Sequence, residues 1–403
     1  MKRRKLRTGL WLLVVLAACT REPARDRSQA LRLVSAPRLA DDLGRADLVQ
    51  KLNQHAAFLA SLQTPAVLQF GERRFSARDY AAAVEAFLSR TAALSDDGAF
   101  FRALEESFDF WEVYGGRRWG EIVLTSYFEP EIPGRVQKTA DFDTPLLRRP
   151  ADLVQVLTSQ FDERLAEAGT LRGRLQRDDR GRQSLVPYPA REAIQQGALR
   201  GQKLEIAWTR PVDAFFMQVQ GSGTVVLPDG RRLRLGYSDQ NGQLYQSIGK
   251  FLTDAIPLEK MSLYAIETHL AGLPRAQVQA VLNKNPSFVF FEHIDGDPKT
   301  SLGNTVFAGR TLATDPRFFP KGALAFAEFK KPVFEGADSL EPGRWQDTAR
   351  FVFDQDTGGA IKGTARADLF WGAGSEAKRH AGFMKDPARL YYLSPRPIPN
   401  ASP

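Results

Sequence analysis

Cysteine is almost missing: a single residue, Cys19, stands in 403 positions. One thiol closes no internal disulfide and builds no thiolate zinc site. Histidine is nearly as sparse. His55, His269, His293 and His380 are scattered, none lies in an H-E-x-x-H pair, and the Asp295 and Asp297 beside His293 read as a solvated turn. These absences leave no metal site and no cofactor to expect. The nucleotide motifs fail as well. In GGAIKG, Lys362 falls too early for a phosphate-binding loop, and GAGSEA at 372–377 lacks the strand–helix–strand setting of a dinucleotide site. No serine sits in a G-x-S-x-G elbow. A one-sided charge is also missing. The formal net charge is +8, but five positive and no negative charges lie in residues 1–18, and removing them leaves +3. A nearly neutral chain of mixed charge pairs does not read as a nucleic-acid binder.

What is present at the N-terminus is MKRRKLRTGLWLLVVLAAC. Basic residues precede an apolar run from Leu10 to Ala18 that is too short to cross a bilayer, the order of a secretory signal. The run ends in Leu16-Ala17-Ala18-Cys19, the form of a bacterial lipobox, so Cys19 is the expected lipidation site and residues 1–18 the removed leader. Thr20, in place of an aspartate, directs the expectation to the outer membrane. Residues 19–42 are polar without clear periodicity and read as a tether.

The rest reads as globular, with 43% hydrophobic and 25% charged residues, enough for two domains. Helical spacing appears at 46–63, at 76–93 with Ser76 as N-cap, and at 98–109, 150–168, 243–253, 259–270 and 274–283. Strands are expected from Glu121 and in KLEIAWTR, AFFMQVQGSG, TVVLPDGRRLRLGY, SFVFFEHI, TVFAGRTLA, GALAFAEFKK, ARFVFDQD and LYYLS. Pro228-Asp229-Gly230 marks a hairpin. Many short strands with glycine turns favour β-barrels over a doubly wound parallel sheet.

Carboxylates are the remaining chemistry. Asp356 opens a Gly-Gly turn after an apolar strand, and Asp368 begins the next strand, next to Phe370 and Trp371. Apolar neighbours raise a carboxyl pKa, which suits an acid for glycosidic cleavage. Each aspartate also reads as an ordinary turn cap, and local sequence leaves both readings open. Asp354 reads as a turn residue.

Four separated stretches carry a resemblance: Thr125-Ser-Tyr-Phe-Glu-Pro130; FFMQVQGSGTVVLPDG followed by YQSIGKFL at 245–252; NPSFVFFE at 285–292; and DTGGAIKGTARADLFWGAGSEAKRHAGFM. In order and spacing, from about residue 120 to 394, the chain resembles the membrane-bound lytic murein transglycosylase A family. The resemblance implies cleavage of the β-1,4 bond between N-acetylmuramic acid and N-acetylglucosamine, with a 1,6-anhydro ring left on the muramoyl product. It implies a mainly β fold with a helical N-terminal part: a double-psi β-barrel from 43–135 and 285–403, an inserted β-barrel-like domain from 136–284, and a groove between them. It places three characteristic aspartates on Asp315, Asp356 and Asp368, with Asp368 as the acid and Asp356 as its partner. Thr125, Tyr127, Gln218, Gln220, Gly221, Ser222 and Asp315 are the expected substrate contacts. Gln218 and Gln220 would share one strand face, and Tyr127 offers a ring to a sugar. Lys362 and Arg366 are expected as structural or substrate contacts. Ser126 and Lys321 depart from the family's usual glycine and leucine. The implied partners are peptidoglycan glycan strands, a membrane through the N-terminal lipid, and a cell-wall synthesis or division complex, at the periplasmic face of the outer membrane. Two rival readings stay open: a hydrolase using Asp356 and Asp368 across a water, and a non-catalytic peptidoglycan-binding lipoprotein.

Overall fold

In the computed structural model the described residues are 24–396, apart from 25, 64, 65, 117, 163, 166–168, 337, 338 and 340. The leader and Cys19 lie outside them. Six strands close into a barrel: β1 (Glu121–Glu129), β2 (Thr311–Ala313), β3 (Leu324–Val333), β4 (Arg344–Asp356), β5 (Arg366–Ala373) and β6 (Lys385–Pro395). Their order is β1-β5-β2-β4-β3-β6, and β6 pairs back onto β1. Closure leaves no exposed edge within the ring. Even-numbered residues of β1 and odd-numbered residues of β5 face inward, so Ile122, Leu124, Ala367 and Leu369 pack with Phe326, Phe351, Phe353 and Leu390.

Three helices close one side of this core: α1 (Arg45–Ser61), α2 (Ala77–Thr91) and α3 (Asp97–Ser107). Leu48, Leu52, Ala56 and Leu59 recur at helical spacing on α1 and are buried. Ser76 caps α2 as expected, its hydroxyl accepting the Asp79 N–H at 3.0 Å. Each fully buried phenylalanine of this core, such as Phe87 or Phe100, contributes roughly 1.5–3 kcal/mol by leaving water.

The expected tether is partly folded. Leu31–Val34 pairs with Phe108–Val113, which pairs with β6. Asp41 accepts two hydrogen bonds at 2.8 Å from Arg310, and Asp42 accepts from Arg350 at 2.7 Å. Both arginines are enclosed, at 0% and 1% exposure, and an enclosed guanidinium requires a carboxylate partner. That requirement draws residues 41–42 onto the barrel.

Between β1 and β2 the chain builds a second β-rich unit. Its four-stranded sheet runs in the order Val289–His293, Arg232–Gln240, Gly223–Val226, Glu131–Pro133, and includes the expected hairpin. A three-stranded sheet comprises Val154–Leu157, Thr170–Arg177 and Gln183–Pro187. The unit extends past 284, because Val289–His293 pairs with Arg232–Gln240 and the barrel resumes only at Thr311.

Several elements differ from expectation. Within 150–168 the described residues include a strand, Val154–Leu157, and a 3₁₀ turn, Thr158–Gln160, not an α-helix, because Val154 and Val156 pair into the three-stranded sheet. Of 243–253 only Ile248–Phe251 winds, as a single 3₁₀ turn. The strand expected in TVFAGRTLA shrinks to Thr311–Ala313. Most consequential, AFFMQVQ is helix α4 (Pro211–Gln220). Pro211 supplies the first-turn φ, and Gly221 ends the helix at φ 86°. The alternation misled because α4 is buried over much of its circumference, through Ala214, Phe215, Met217 and Gln218.

Candidate active site

The site lies on the outward row of the barrel where β1, β5, β2 and β4 meet. Ala313 of the short β2 pairs with Asp356 on one side and Asp368 on the other. The two aspartates are thus two strand spacings apart, about 10 Å between backbones. The glycine turn between β4 and β5 steps over β2; it does not join neighbouring strands.

Asp368 pairs with Thr125 across the parallel β1–β5 ladder, and the Thr125 hydroxyl donates to its Oδ1 at 2.8 Å. Burial pushes the Asp368 carboxyl up to about 6; the Thr125 hydrogen bond and the Arg366 cation oppose the rise, and Asp356 adds to it. A carboxyl with that pKa is protonated in part near neutrality, the condition for a general acid. Arg366 precedes Asp368 by two residues on the same strand face. Its Nη1 donates to the Ala360 carbonyl at 3.3 Å, while its Nε is enclosed without a partner.

Asp356 is held differently. Tyr127 donates its hydroxyl to Oδ2 at 2.7 Å, and Oδ1 accepts the Ser301 and Thr357 N–H groups at 3.0 and 2.9 Å. The Tyr127 ring lies 5.1 Å from Phe370, centroid to centroid. Burial and the Asp356 charge hold the Tyr127 phenol well above its ordinary range.

Asp354 was expected to be a plain turn residue. It is fully enclosed and anchors a network below the site. Lys321 donates to Asp354 Oδ1 at 2.6 Å, to the Thr314 carbonyl at 2.9 Å and to the Asp356 carbonyl at 2.6 Å. Tyr392 and Thr314 donate to Asp354 Oδ2 at 2.6 and 2.7 Å. Burial lowers the Lys321 pKa, opposed by the Asp354, Asp356 and Asp315 charges. Lys321, noted in the sequence only as a departure, therefore braces the backbone of Asp356.

Asp315 is 1% exposed, and its carboxylate binds Arg317 at 2.7 Å and the Gly363 N–H at 2.8 Å. Its burial works against ionisation, yet Arg317 and the Gly363 N–H hold it below the usual range. It clasps the turn carrying Lys362.

Gln218 and Gln220, on a helix, project in different directions. Gln220 accepts the Phe128 N–H at 3.1 Å and thereby ties α4 to the open edge of β1. Gln218 is 3% exposed, and neither its amide oxygen nor its nitrogen has a partner. Gly221 and Ser222 form the turn after α4, beside these residues. The sequence missed Tyr245: from the second unit it lies within electrostatic reach of Asp368, Arg366 and Arg191, and burial raises its phenol pKa. Asp368 thus sits where the two units face each other. His55, by contrast, is a core residue, bonded to Gly322 and Gln355 at 2.7 and 2.8 Å, with burial pushing it down to about 4.

A carboxyl raised towards neutrality beside a polar, aromatic row between two β units is the arrangement that an acid catalyst of the glycosidase kind uses. The comparisons specify it. Residues 123–292 match the MltA specific insert domain, and residues 310–394 match the 3D domain. Membrane-bound lytic murein transglycosylase A of Escherichia coli K12 is 31% identical over 297 residues, 72% of this chain and 70% of that one. Its Vibrio cholerae counterpart is 30% identical over 396 residues, 97% of this chain and 95% of that one. The crystal structure of a membrane-bound lytic murein transglycosylase from Agrobacterium tumefaciens superimposes with a TM-score of 0.71 at 28% identity, covering 91% of this chain and 98% of that one. E. coli MltA with bound chitohexaose shares the fold, with a TM-score of 0.67 at 24% identity, covering 92% and 96%. The chain belongs to the membrane-bound lytic murein transglycosylase A family.

Proposed function

We propose that the protein is a lytic transglycosylase of peptidoglycan in which Asp368 is the acid. The observation that carries the reading is the carboxyl of Asp368, raised to about 6 by burial and facing the second unit. Asp368 begins protonated and gives its proton to the glycosidic oxygen. The C6 hydroxyl of the muramoyl ring attacks its own C1, closing the 1,6-anhydro ring and releasing the N-acetylglucosamine end. The Asp368 carboxylate takes the hydroxyl proton and is reset. The nucleophile is tethered, so high effective molarity replaces an activated water. Thr125 holds Asp368 in place, and Asp356 disfavours its ionised form.

The hydrolytic rival needs Asp356 free to activate a water. Three donors already occupy its two oxygens, which supports the lytic route. Gln218 is read as a substrate contact, because a ligand donor and acceptor would satisfy its enclosed amide. Tyr245 and the Tyr127 ring are read as the aromatic walls that meet the sugar. A relative of known structure with bound chitohexaose supports glycan strands as the ligand. We read the domains as a barrel built from the N-terminal helices, β1 and residues 311–395, with residues 131–293 inserted. Cys19 is read as the lipid attachment that places the enzyme at the periplasmic face of the outer membrane.

The decisive experiment digests purified sacculi with wild type and Asp368→Asn, followed by mass spectrometry. Anhydro-muramoyl products from wild type and none from the variant are expected. Reducing ends would overturn the lytic route, and undiminished release by the variant would overturn the acid.

A further inference from the structure

Glu129 ends β1. Counting along that strand, Thr125, Tyr127 and Glu129 alternate onto one face. The first holds Asp368 and the second holds Asp356. Glu129 lies about 13 Å further along than Thr125, a distance of a few pyranose rings. It is 3% exposed, yet its Oε1 has no hydrogen-bond partner. An enclosed carboxylate oxygen without a partner is rare, because burial removes water and nothing replaces it.

Its surroundings explain why no protein group fills the gap. Two arginines lie within electrostatic reach, but each is engaged elsewhere. Arg232 pairs with Glu131, and Arg234 reaches Asp297 at 3.3 Å and the Gly296 carbonyl at 2.6 Å. Three carboxylates thus share two guanidiniums, and Glu129 is the one left over. Burial raises its pKa, with the Glu131 and Asp297 charges adding to the rise.

We propose that Glu129 is a glycan-binding carboxylate, the acceptor for a hydroxyl or acetamide N–H of a sugar ring bound beyond the scissile bond along the row Thr125–Tyr127–Glu129. This rests on reading the site as one that cleaves glycan strands. A bound sugar supplies the missing donor, and the strand row sets the distance at which that ring is gripped. Residues that hold only the distant ring stabilise ground and transition states alike, so Glu129 governs KM more than kcat.

The test places Glu129→Ala and Glu129→Gln in the full chain. Chitohexaose binding is measured by calorimetry in the Asp368→Asn background, and turnover of sacculi in the active background, with thermal midpoints alongside. Glu129→Ala should weaken chitohexaose binding about tenfold and raise KM by a similar factor, with a smaller change in kcat. Glu129→Gln retains an acceptor and should lose roughly twofold to threefold. If Glu129→Ala binds chitohexaose within a factor of two of its parent, Glu129 is structural and the proposal falls, whatever its thermal midpoint does. If wild type releases no glycan from sacculi, the underlying reading falls with it. Release by wild type with unchanged binding by Glu129→Ala sinks the Glu129 proposal alone.

Discussion

At the scale of single residues, one carboxyl is kept where it is unfavourable. Asp368 sits at about 6 against 3.8 for an ordinary aspartate. Its charged form is disfavoured in the folded state, so the fold is unpenalised below about 4 and loses stability as pH rises towards 6. Asp368→Asn should therefore be inactive yet more stable at pH 8 than wild type, by on the order of 1–3 kcal/mol, with the gain vanishing near pH 4. Urea denaturation at the two pH values measures this. Activity has the same sign: kcat/KM should fall as pH rises through about 6, because the acid must start protonated. Thr125→Val removes a hydrogen bond that favours the charged form and should move that limb upward. Lys321 makes the complementary case. Its side chain is 13% exposed against an Asp354 at 0%. Lys321→Met leaves a buried carboxylate unpaired and should cost about 3–5 kcal/mol. Adding Asp354→Asn should recover a large part of that loss, read from denaturation midpoints; no recovery would mean the pair is not the cause.

Among elements, α4 carries the sharpest lesson. FFMQVQ alternates well enough to suggest a strand, and its two glutamines then suggest a shared polar face. Pro211 and Gly221 were the local signals for a helix, but burial on several sides of α4 removed the one-sided apolar stripe that identifies helices. The helix also positions its C-terminal turn against β1 through Gln220 and Phe128. Gly221 makes that turn at φ 86°, where a side chain is strained even though the space around it is open. Gly221→Ala should lower stability by roughly 1–2 kcal/mol and loosen the α4–β1 contact. Amide hydrogen exchange at Phe128 reads the second effect: unchanged protection there would separate the turn from the tie. By contrast α1, α2, α3 and the 224–237 hairpin were legible, because each buries one regular face or turns on Pro-Asp-Gly.

For the whole molecule, the barrel and the second unit divide the work. The barrel presents Asp368 and Asp356, while the second unit brings Tyr245 and α4 towards them. Joining the units are Lys378 with Glu267 at 2.8 Å and the stacked rings of Tyr264 and Phe383 at 5.6 Å. No described helix is long and apolar enough to cross a membrane. We propose that Cys19, at the end of the lipobox-like run, carries the membrane anchor. Cys19→Ser should move the protein from the membrane fraction into the soluble periplasmic fraction with its activity on sacculi intact; continued sedimentation with outer membranes would refute the anchor.

Composition alone excluded an internal disulfide and a zinc site of several thiolates, and local patterns pointed to β-barrel strands and two candidate aspartates, because those features depend on residues adjacent in the chain. The resemblance singled out Asp368, but the surroundings that suit it to the proposed role of acid are assembled only in three dimensions. The short strand Thr311–Ala313 separates Asp356 from Asp368, and Thr125, some 240 positions earlier in the sequence, reaches Asp368 across a parallel ladder. Tertiary structure likewise turned Asp354 from a turn residue into a buried support and left one enclosed oxygen of Glu129 without a hydrogen-bond partner. A pKa and an unmet hydrogen bond are properties of surroundings, and those surroundings are assembled from segments that the linear chain keeps far apart.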